Sequence, residues 1–322
     1  MTTGNFLIFG ILEALGSICT AYILVKNLDK FFSTRGLSLI GLGLVSALAA
    51  DTPEITSAIT AIITKQPDIG TGVIVGSNIF NLATLIGVTT LINGKIAFQQ
   101  KSAYKLLIFA SLNSLFGIFI EIRFLTGYIW FLLSVLTFAF YILSIRKDGS
   151  ENISESKESL NLQAPTRFSS IFAKIHKQTY LYMVLLVGII IALSVAAERS
   201  FSNLGHNLGL SQAIVGDIIL SAITSLPNAV AALYLAKNVN GDALLSEAFN
   251  SNTINLAAGI LLPAAIFSSQ ATVPKDNILL LINLIITTGV LIILYLTRQI
   301  YRSLAIALIL GYIGFIFYVI NK

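Results

Sequence analysis

Apolar residues run along this chain in ten long blocks, at about 6–25, 37–64, 70–92, 103–122, 126–145, 180–197, 210–236, 243–267, 277–296 and 301–320. A helix needs roughly 20 such residues to cross the hydrocarbon core of a bilayer. The pattern therefore predicts an all-α integral membrane protein with ten transmembrane helices. The first block has no basic n-region and no A-x-A cleavage site, so it reads as a span and not as a signal peptide. The longest polar connection, 146–179, opens with a Ser- and Glu-rich stretch, 148–159, of flexible-linker composition. Its second part sets Phe168, Ile171, Phe172 and Ile175 at helical spacing beside Lys174 and Lys177. That spacing predicts an amphipathic helix on the membrane surface or a lead-in to the sixth span. The chain thus divides into a first five-helix unit (1–145), a linker (146–179) and a second five-helix unit (180–322).

The two units carry related sequences. DTPEITSAI at 51–59 is answered by SLPNAVAAL at 225–233, and GSNIFNLA at 76–83 by NSNTINLA at 250–257. Pro53 maps onto Pro227, Ser77 onto Ser251, Asn78 onto Asn252 and Asn81 onto Asn255, all at one offset of 174 residues. Gly-Leu-Ser at 36–38 maps onto 209–211 with a one-residue slip. Five spans per unit is an odd number, so the second unit enters the membrane in the opposite sense. Inverted-topology repeats of this kind place their substrate near the bilayer midplane, where interrupted helices expose backbone groups. Proline lacks an N–H and clashes with the carbonyl four residues earlier. Pro53 and Pro227 therefore mark predicted helix breaks, with Gly76 and the segment around Asn250 as further weak points.

Composition narrows the chemistry. Of 322 residues, 56% are hydrophobic and 11% charged, against about a quarter charged in soluble domains. One cysteine, Cys19, excludes an internal disulfide, and His176 and His206 have no partners at metal-ligand spacing. No G-x-x-x-x-G-K-[ST] loop is present, so neither nucleotide binding nor an ATP-driven pump is expected. The net charge of +5 does not form a nucleic-acid-binding face; Lys and Arg lie between the apolar blocks. With alternating spans, fifteen of the 20 basic residues fall on one side. The positive-inside rule then puts the central loop in the cytoplasm and both termini outside a cell membrane.

Glu13, Asp51, Glu54, Asp217 and Glu247 lie inside apolar blocks, where no Lys or Arg accompanies them. A carboxylate at that depth costs a few kcal/mol, so such residues mark ion pathways or bonds between spans. Asp51 and Glu54 are three apart, and Ser77 and Asn81, like Ser251 and Asn255, are four apart, spacings that share a helix face. Oxygen donors of this kind suit Na⁺, Ca²⁺ or H⁺ better than softer metals. No cofactor is implied beyond the transported cations.

At these residues the sequence resembles the calcium/cation antiporter superfamily, which includes the sodium/calcium exchangers. Its two inverted repeats carry G-T-S-x-P-E and G-N-x-x-G-S-N-x-x-[ND] signatures. They match Ala49-Ala50-Asp51-Thr52-Pro53-Glu54 with Gly76-Ser77-Asn78-Ile79-Phe80-Asn81, and Ile223-Thr224-Ser225-Leu226-Pro227-Asn228 with Asn250-Ser251-Asn252-Thr253-Ile254-Asn255. The resemblance implies alternating-access antiport of Ca²⁺ against Na⁺ or H⁺. It implies cation ligands at Glu54, Asn81, Asn228 and Asn255, with Ser77, Ser225 and Ser251 adding oxygens. Three departures stand out: the second-repeat Glu is Asn228, Asn255 stands where some members have Asp, and the first-repeat Ser is Asp51. Glu54 with either Asp51 or Glu247 is expected to rebuild a two-carboxylate site. Glu247, Ser251 and Asn255 fall at four-residue intervals and form one helical stripe. A monovalent exchanger with Glu54 as proton carrier, or an exchanger fold that no longer transports, are the alternatives. An intramembrane aspartyl protease using Asp51 and Asp217 is disfavoured, because those residues do not occupy matching repeat positions.

Overall fold

The computed structural model describes residues 3–33, 44, 47–48, 50–122, 124–160, 177–237, 241–267 and 278–321. Helices α1 (Thr3–Ser33), α2 (Thr52–Ile63) and α3 (Pro67–Asn81) open the chain. From α3 the chain continues through a π-helical stretch, Leu82–Val88, into α4 (Thr89–Asn93). Helices α5 (Gln100–Glu121) and α6 (Gly127–Leu160) complete the first unit. In the second, α7 (Lys177–Asn207) is followed by a π-helical stretch Ile214–Leu220, α8 (Ser221–Thr224) and α9 (Leu226–Lys237). Helix α10 (Gly241–Leu256) runs through a third π-helical stretch, Ala257–Leu261, into α11 (Leu262–Phe267). Helices α12 (Ile278–Thr297) and α13 (Arg302–Ile320) close the chain.

Among the described residues, eight helical runs are long and apolar enough to cross a membrane. The protein is an all-helical membrane protein. Of the ten expected spans, 37–64 has its first part, 37–43, and positions 45, 46 and 49 outside the described set. The expected span at 243–267 is helical throughout, yet it is not among the eight, because Glu247, Asn250, Asn252 and Asn255 dilute its hydropathy. The helices richest in polar signature residues are the innermost ones. Pro67–Asn93 is buried along 94% of its most apolar stretch, whereas Arg302–Ile320 is buried along 22%. The outer helices turn Leu, Ile and Phe outward, among them Leu7, Leu281 and Phe317, as a lipid-facing surface requires.

Two short strands, β1 (Ile96–Ala97) and β2 (Gln299–Ile300), pair antiparallel. They join the α4–α5 loop to the α12–α13 loop. Asp242, at the start of α10, accepts the Gln99 backbone N–H at 3.0 Å, which brings the α9–α10 connection to the same end. Alternation of ten spans requires these three loops to share a side, and they do. At the other end, Ser202 near the close of α7 bonds Gln66 at the α2–α3 turn at 3.3 Å.

One expectation is overturned outside the membrane. The polar stretch at 148–159 is helical, as the continuation of α6 to Leu160. Nucleation is the costly step in helix formation, and the preceding span has already met it. The stretch also holds no proline, and its one glycine, Gly149, does not stop propagation. The predicted amphipathic segment at 168–175 lies outside the described residues.

Candidate cation-binding site

Both proline-marked breaks form, at equivalent positions. The one residue outside helix before α2 is Asp51 (φ −77°, ψ −9°), and the one before α9 is Ser225 (φ −84°, ψ −6°). Both sit near the sparsely populated bridge region between helix and strand geometry, a frequent home of functional residues. Pro53 and Pro227 then occupy the second position of the new helix, where a missing N–H goes unnoticed. Each break is one residue wide.

The two halves meet through their own equivalents. Asn78 Nδ2 donates to the Asn252 carbonyl at 3.1 Å, and Asn252 Nδ2 donates to the Asn78 carbonyl at 2.9 Å. Such reciprocal bonds place a pseudo-two-fold axis between them, as at an isologous contact. The relation extends outward: Asn81 donates to Asn252 Oδ1 at 3.2 Å, and Asn255 donates to Asn78 Oδ1 at 3.4 Å. It governs the breaks too, where Ser225 Oγ donates to Glu54 Oε1 at 2.9 Å and Asn228 Nδ2 donates to Asp51 Oδ1 at 2.8 Å.

Asn228 ties the two carboxylates together. Its amide also lies 2.8 Å from Glu54 Oε1 and 3.1 Å from Ser251 Oγ. An amide has two hydrogens for these three acceptors. Ser251 donates to Asp51 Oδ1 and accepts from Asn81 Nδ2 at 2.9 Å. Asp51, Glu54, Asn81, Asn228, Ser251 and Asn255 are all fully buried.

This network uses one oxygen of each carboxylate and leaves the other. Asp51 Oδ2, Glu54 Oε2, Asn81 Oδ1, Asn228 Oδ1 and Asn255 Oδ1 are buried without a hydrogen-bond partner. An unpaired buried acceptor costs about 1–3 kcal/mol, and more if charged. Five such oxygens, two of them from carboxylates and three from amides, are of the kind that a hard cation takes as ligands. Among the described residues, no three His, Cys, Asp or Glu side chains converge on a metal position. The set is two carboxylates with amide oxygens.

Other expected ligands lie around this centre. Ser77 Oγ turns to the Ser221 carbonyl at 3.3 Å. Glu247 is fully buried one turn before Ser251, within electrostatic reach of Glu54. Gly76 does not break its helix: α3 runs unbroken through it, as α10 does through Asn250 to Asn252. A Cβ on Gly76 would meet the Asp217 carbonyl at 2.3 Å, and one on Gly72 would meet Asp217 Oδ1 at 2.0 Å. These glycines permit a close helix crossing. The helical irregularity falls later, in the π-helical turns after Asn81 and Leu256, a feature that often accompanies functional sites. Asp217 thus sits against Gly72, while Asp51 is bound by Asn228 and Ser251. Glu13 accepts from Ser200 at 2.8 Å, a bond between spans.

Two contributors escape the sequence reading. Asn283 of α12 accepts from Asn78 Nδ2 at 3.1 Å and is itself 3.4 Å from Ser114 Oγ. Its signal was a lone amide in the run Ile278–Ile286. Ser57, one turn beyond Glu54, has a buried hydroxyl without a partner; its spacing from Asp51 and Glu54 was the available sign.

The description "sodium/calcium exchanger protein" belongs to the family model that matches this chain twice, over residues 5–146 and 179–321. An uncharacterized membrane protein of Methanocaldococcus jannaschii is 23% identical over 238 residues, which cover 73% of this chain and 71% of that protein. A 64-residue segment is 34% identical to sodium/potassium/calcium exchanger 1 of Bos taurus, covering 20% of this chain and 5% of that one. Among solved structures, the sodium-calcium exchanger NCX_Mj soaked with Na⁺ and Sr²⁺ superposes with a TM-score of 0.69 at 19% identity, over 97% of this chain and 98% of that one. The same exchanger soaked without Na⁺ and Ca²⁺ gives 0.64 at 18% identity. At this identity the likeness is one of fold.

Proposed function

The chain belongs to the sodium/calcium exchanger family, a family of membrane cation exchangers and not of enzymes, and from that premise we propose that it exchanges Ca²⁺ for Na⁺ or H⁺ at the Asp51–Glu54 pair. The observation that carries this reading is the set of five unpartnered buried oxygens drawn from Asp51, Glu54, Asn81, Asn228 and Asn255. Glu54 and Asp51 supply the charge; Asn81, Asn228 and Asn255 supply neutral oxygens. Ser225 and Ser251 orient the carboxylates through the bonds described above.

Asn228 has a double role in this scheme. Its N–H donors lie between two carboxylate oxygens and lessen their repulsion, while its own oxygen serves the ion. The compensation is incomplete, because Asp51 Oδ2 and Glu54 Oε2 gain nothing from it. Carrying two uncompensated carboxylates through a water-excluded state is costly. The reorientation of the empty carrier is thereby suppressed, and transport becomes exchange by rocking or sliding of helices about the fixed site. Two carboxylates balance one Ca²⁺ or two monovalent ions, so the exchange is electroneutral. Positive-inside bias orients the side bearing β1 and β2 to the cytoplasm, with both termini outside.

The test is labelled Ca²⁺ uptake into proteoliposomes, driven in turn by an outward Na⁺ gradient and by a pH gradient, for wild type and Glu54→Gln. Uptake that follows one gradient, vanishes in the variant and ignores a potassium diffusion potential supports the proposal. Ca²⁺ that moves under neither gradient in folded protein sinks it, and monovalent exchange becomes the reading to test.

A further inference from the structure

Helices α12 and α13 are consecutive but rest on different neighbours: α12 packs against α5, and α13 against the π-helical stretch Leu82–Val88. Between them opens a groove of about 290 Å³ with almost no polar lining. Gly289, Ile293, Leu304 and Gly311 form its walls, and Ile79 and Leu82 its floor. The two glycines create the space, since a Cβ on either would meet nothing within 4 Å. Along α12 the lining runs from Ile285 to Ile293, which is about 12 Å at 1.5 Å per residue. The hydrocarbon of one leaflet is about 15 Å deep. The groove therefore has the depth of one leaflet and the polarity of an acyl chain.

Its mouth is cationic. The α12–α13 turn carries Arg298 and Arg302, both exposed, with Tyr301 between them. From the adjoining α4–α5 loop, Lys95 Nζ stands 5.7 Å from the centre of the Tyr301 ring. No Asp or Glu occurs at 94–105 or 297–303. The nearby Asp242 is bound to the Gln99 backbone. Three cations beside an interfacial tyrosine, at the end of an apolar groove one leaflet deep, are complementary to a phosphate ester on a hydrocarbon chain. We infer that this groove binds an anionic phospholipid, with one acyl chain along Gly289 and Gly311 and the phosphate at Lys95, Arg298 and Arg302. The floor residues Ile79 and Leu82 flank Asn81, and Tyr312 packs edge-on against Phe80 at 5.5 Å. The bound chain thus touches the helix that carries the ion ligands, on its lipid side.

The inference does not depend on which ion is carried, and its test is binding. The full chain in detergent is titrated with phosphatidylglycerol and, separately, phosphatidylcholine, and retained lipid is counted by native mass spectrometry. Wild type is expected to retain phosphatidylglycerol in preference. Arg298→Gln with Arg302→Gln should weaken phosphatidylglycerol about thirtyfold, from the contribution of two basic side chains at a membrane surface, and leave phosphatidylcholine unchanged. Gly289→Leu fills the groove and should weaken both lipids. It replaces a helical glycine with a better helix former in open space, so an unchanged melting temperature is expected to accompany the loss. Lys26→Gln, an exposed change on α1, should alter neither. Equal retention of the two lipids by wild type overturns the proposal. Undiminished phosphatidylglycerol binding by the arginine variant, or by Gly289→Leu of native melting temperature, does so too.

Discussion

At the break in the first repeat stand Asp51 and Glu54; at the same step of the second stand Ser225 and Asn228. The backbone turns alike at the two breaks, with φ and ψ at Asp51 and Ser225 within 7° and 3° of each other. The proline two residues on is shared, and the side chains cross-bond as a pseudo-symmetric set. All of the charge in these four positions is on one side. Backbone geometry and charge are therefore separable: the break needs its proline and its partners across the axis, and it does not need a carboxylate. Both carboxylates on one half, faced by hydroxyl and amide on the other, also means that each acid meets a donor and not another acid across the axis.

The sharpest way to break this comparison is to move the charge across it. Glu54→Gln removes a carboxylate from the ion's surroundings. A unit pair about 4 Å apart at an effective dielectric of about 20 is worth about 4 kcal/mol, so transport should fall by two to three orders of magnitude. The double variant Glu54→Gln with Asn228→Glu puts the acid on the other side of the axis. Because Glu54 and Asn228 are equivalent and in contact, it should recover activity to within about tenfold of wild type. Proteoliposome flux measures both. If the double variant is as inactive as the single one, the two positions are equivalent in backbone only.

Asn228→Glu alone comes next in size. It removes the shared amide donors and adds a third acid beside Asp51 and Glu54. Without a cation this leaves a buried charge uncompensated, at a cost of about 3–5 kcal/mol. The melting temperature should fall in chelator and rise with Ca²⁺ by more than wild type's does. A variant as stable as wild type in chelator shows that Asn228 does not relieve the repulsion of the pair.

A smaller effect is expected where the repeats differ in packing. Gly76 and Asn250 are equivalent, yet Gly76 faces the Asp217 carbonyl, whereas Asn250 has room for its side chain and bonds Ser246 Oγ at 2.7 Å. Gly76→Ala forces a Cβ to within 2.3 Å of backbone and should destabilise by about 1–3 kcal/mol, as overpacking does. Gly188→Ala, in open space on α7, is the control and should be neutral or slightly stabilising. Equal melting temperatures for the two would mean that the crossing at Gly76 relaxes freely.

Much of this was legible in residue order. The register that ties 51–59 to 225–233 and 76–83 to 250–257 identified the inverted repeat and the residues that meet across it, because a constant offset survives even when individual residues change. Helix breaks at Pro53 and Pro227 followed from the missing N–H. Gly76 was misread for a physical reason: a glycine in a helix marks either a weak turn or a close neighbour, and only the neighbour, Asp217, decides which. The partnership of Asp51 with Asn228 was likewise hidden, since it depends on the axis and not on spacing along one helix. The continuation of α6 through 148–159 shows the limit of composition as a guide, because a helix already nucleated in the membrane extends into polar sequence that would not start one.

The smallest expected effect tests the part of the network where the pseudo-symmetry ends. Asn78 and Asn252 exchange bonds, and each receives one amide from the opposite half, from Asn255 and Asn81. Among the described residues, Asn78 alone of the two has a further bond, to Asn283 on α12. Asn283→Leu removes that bond and the 3.4 Å contact with Ser114 and substitutes a side chain of similar size. Polar bonds between membrane helices average about 0.6 kcal/mol, so a shift of one or two degrees in melting temperature is expected, with Ca²⁺ affinity unchanged. Asn78 would still be held by Asn252 and Asn255, which is why the expected loss is small. A several-fold change in ion affinity would show instead that α12 positions Asn78, and through Asn255 the ion ligands, so that the second repeat contributes an anchor the first repeat lacks.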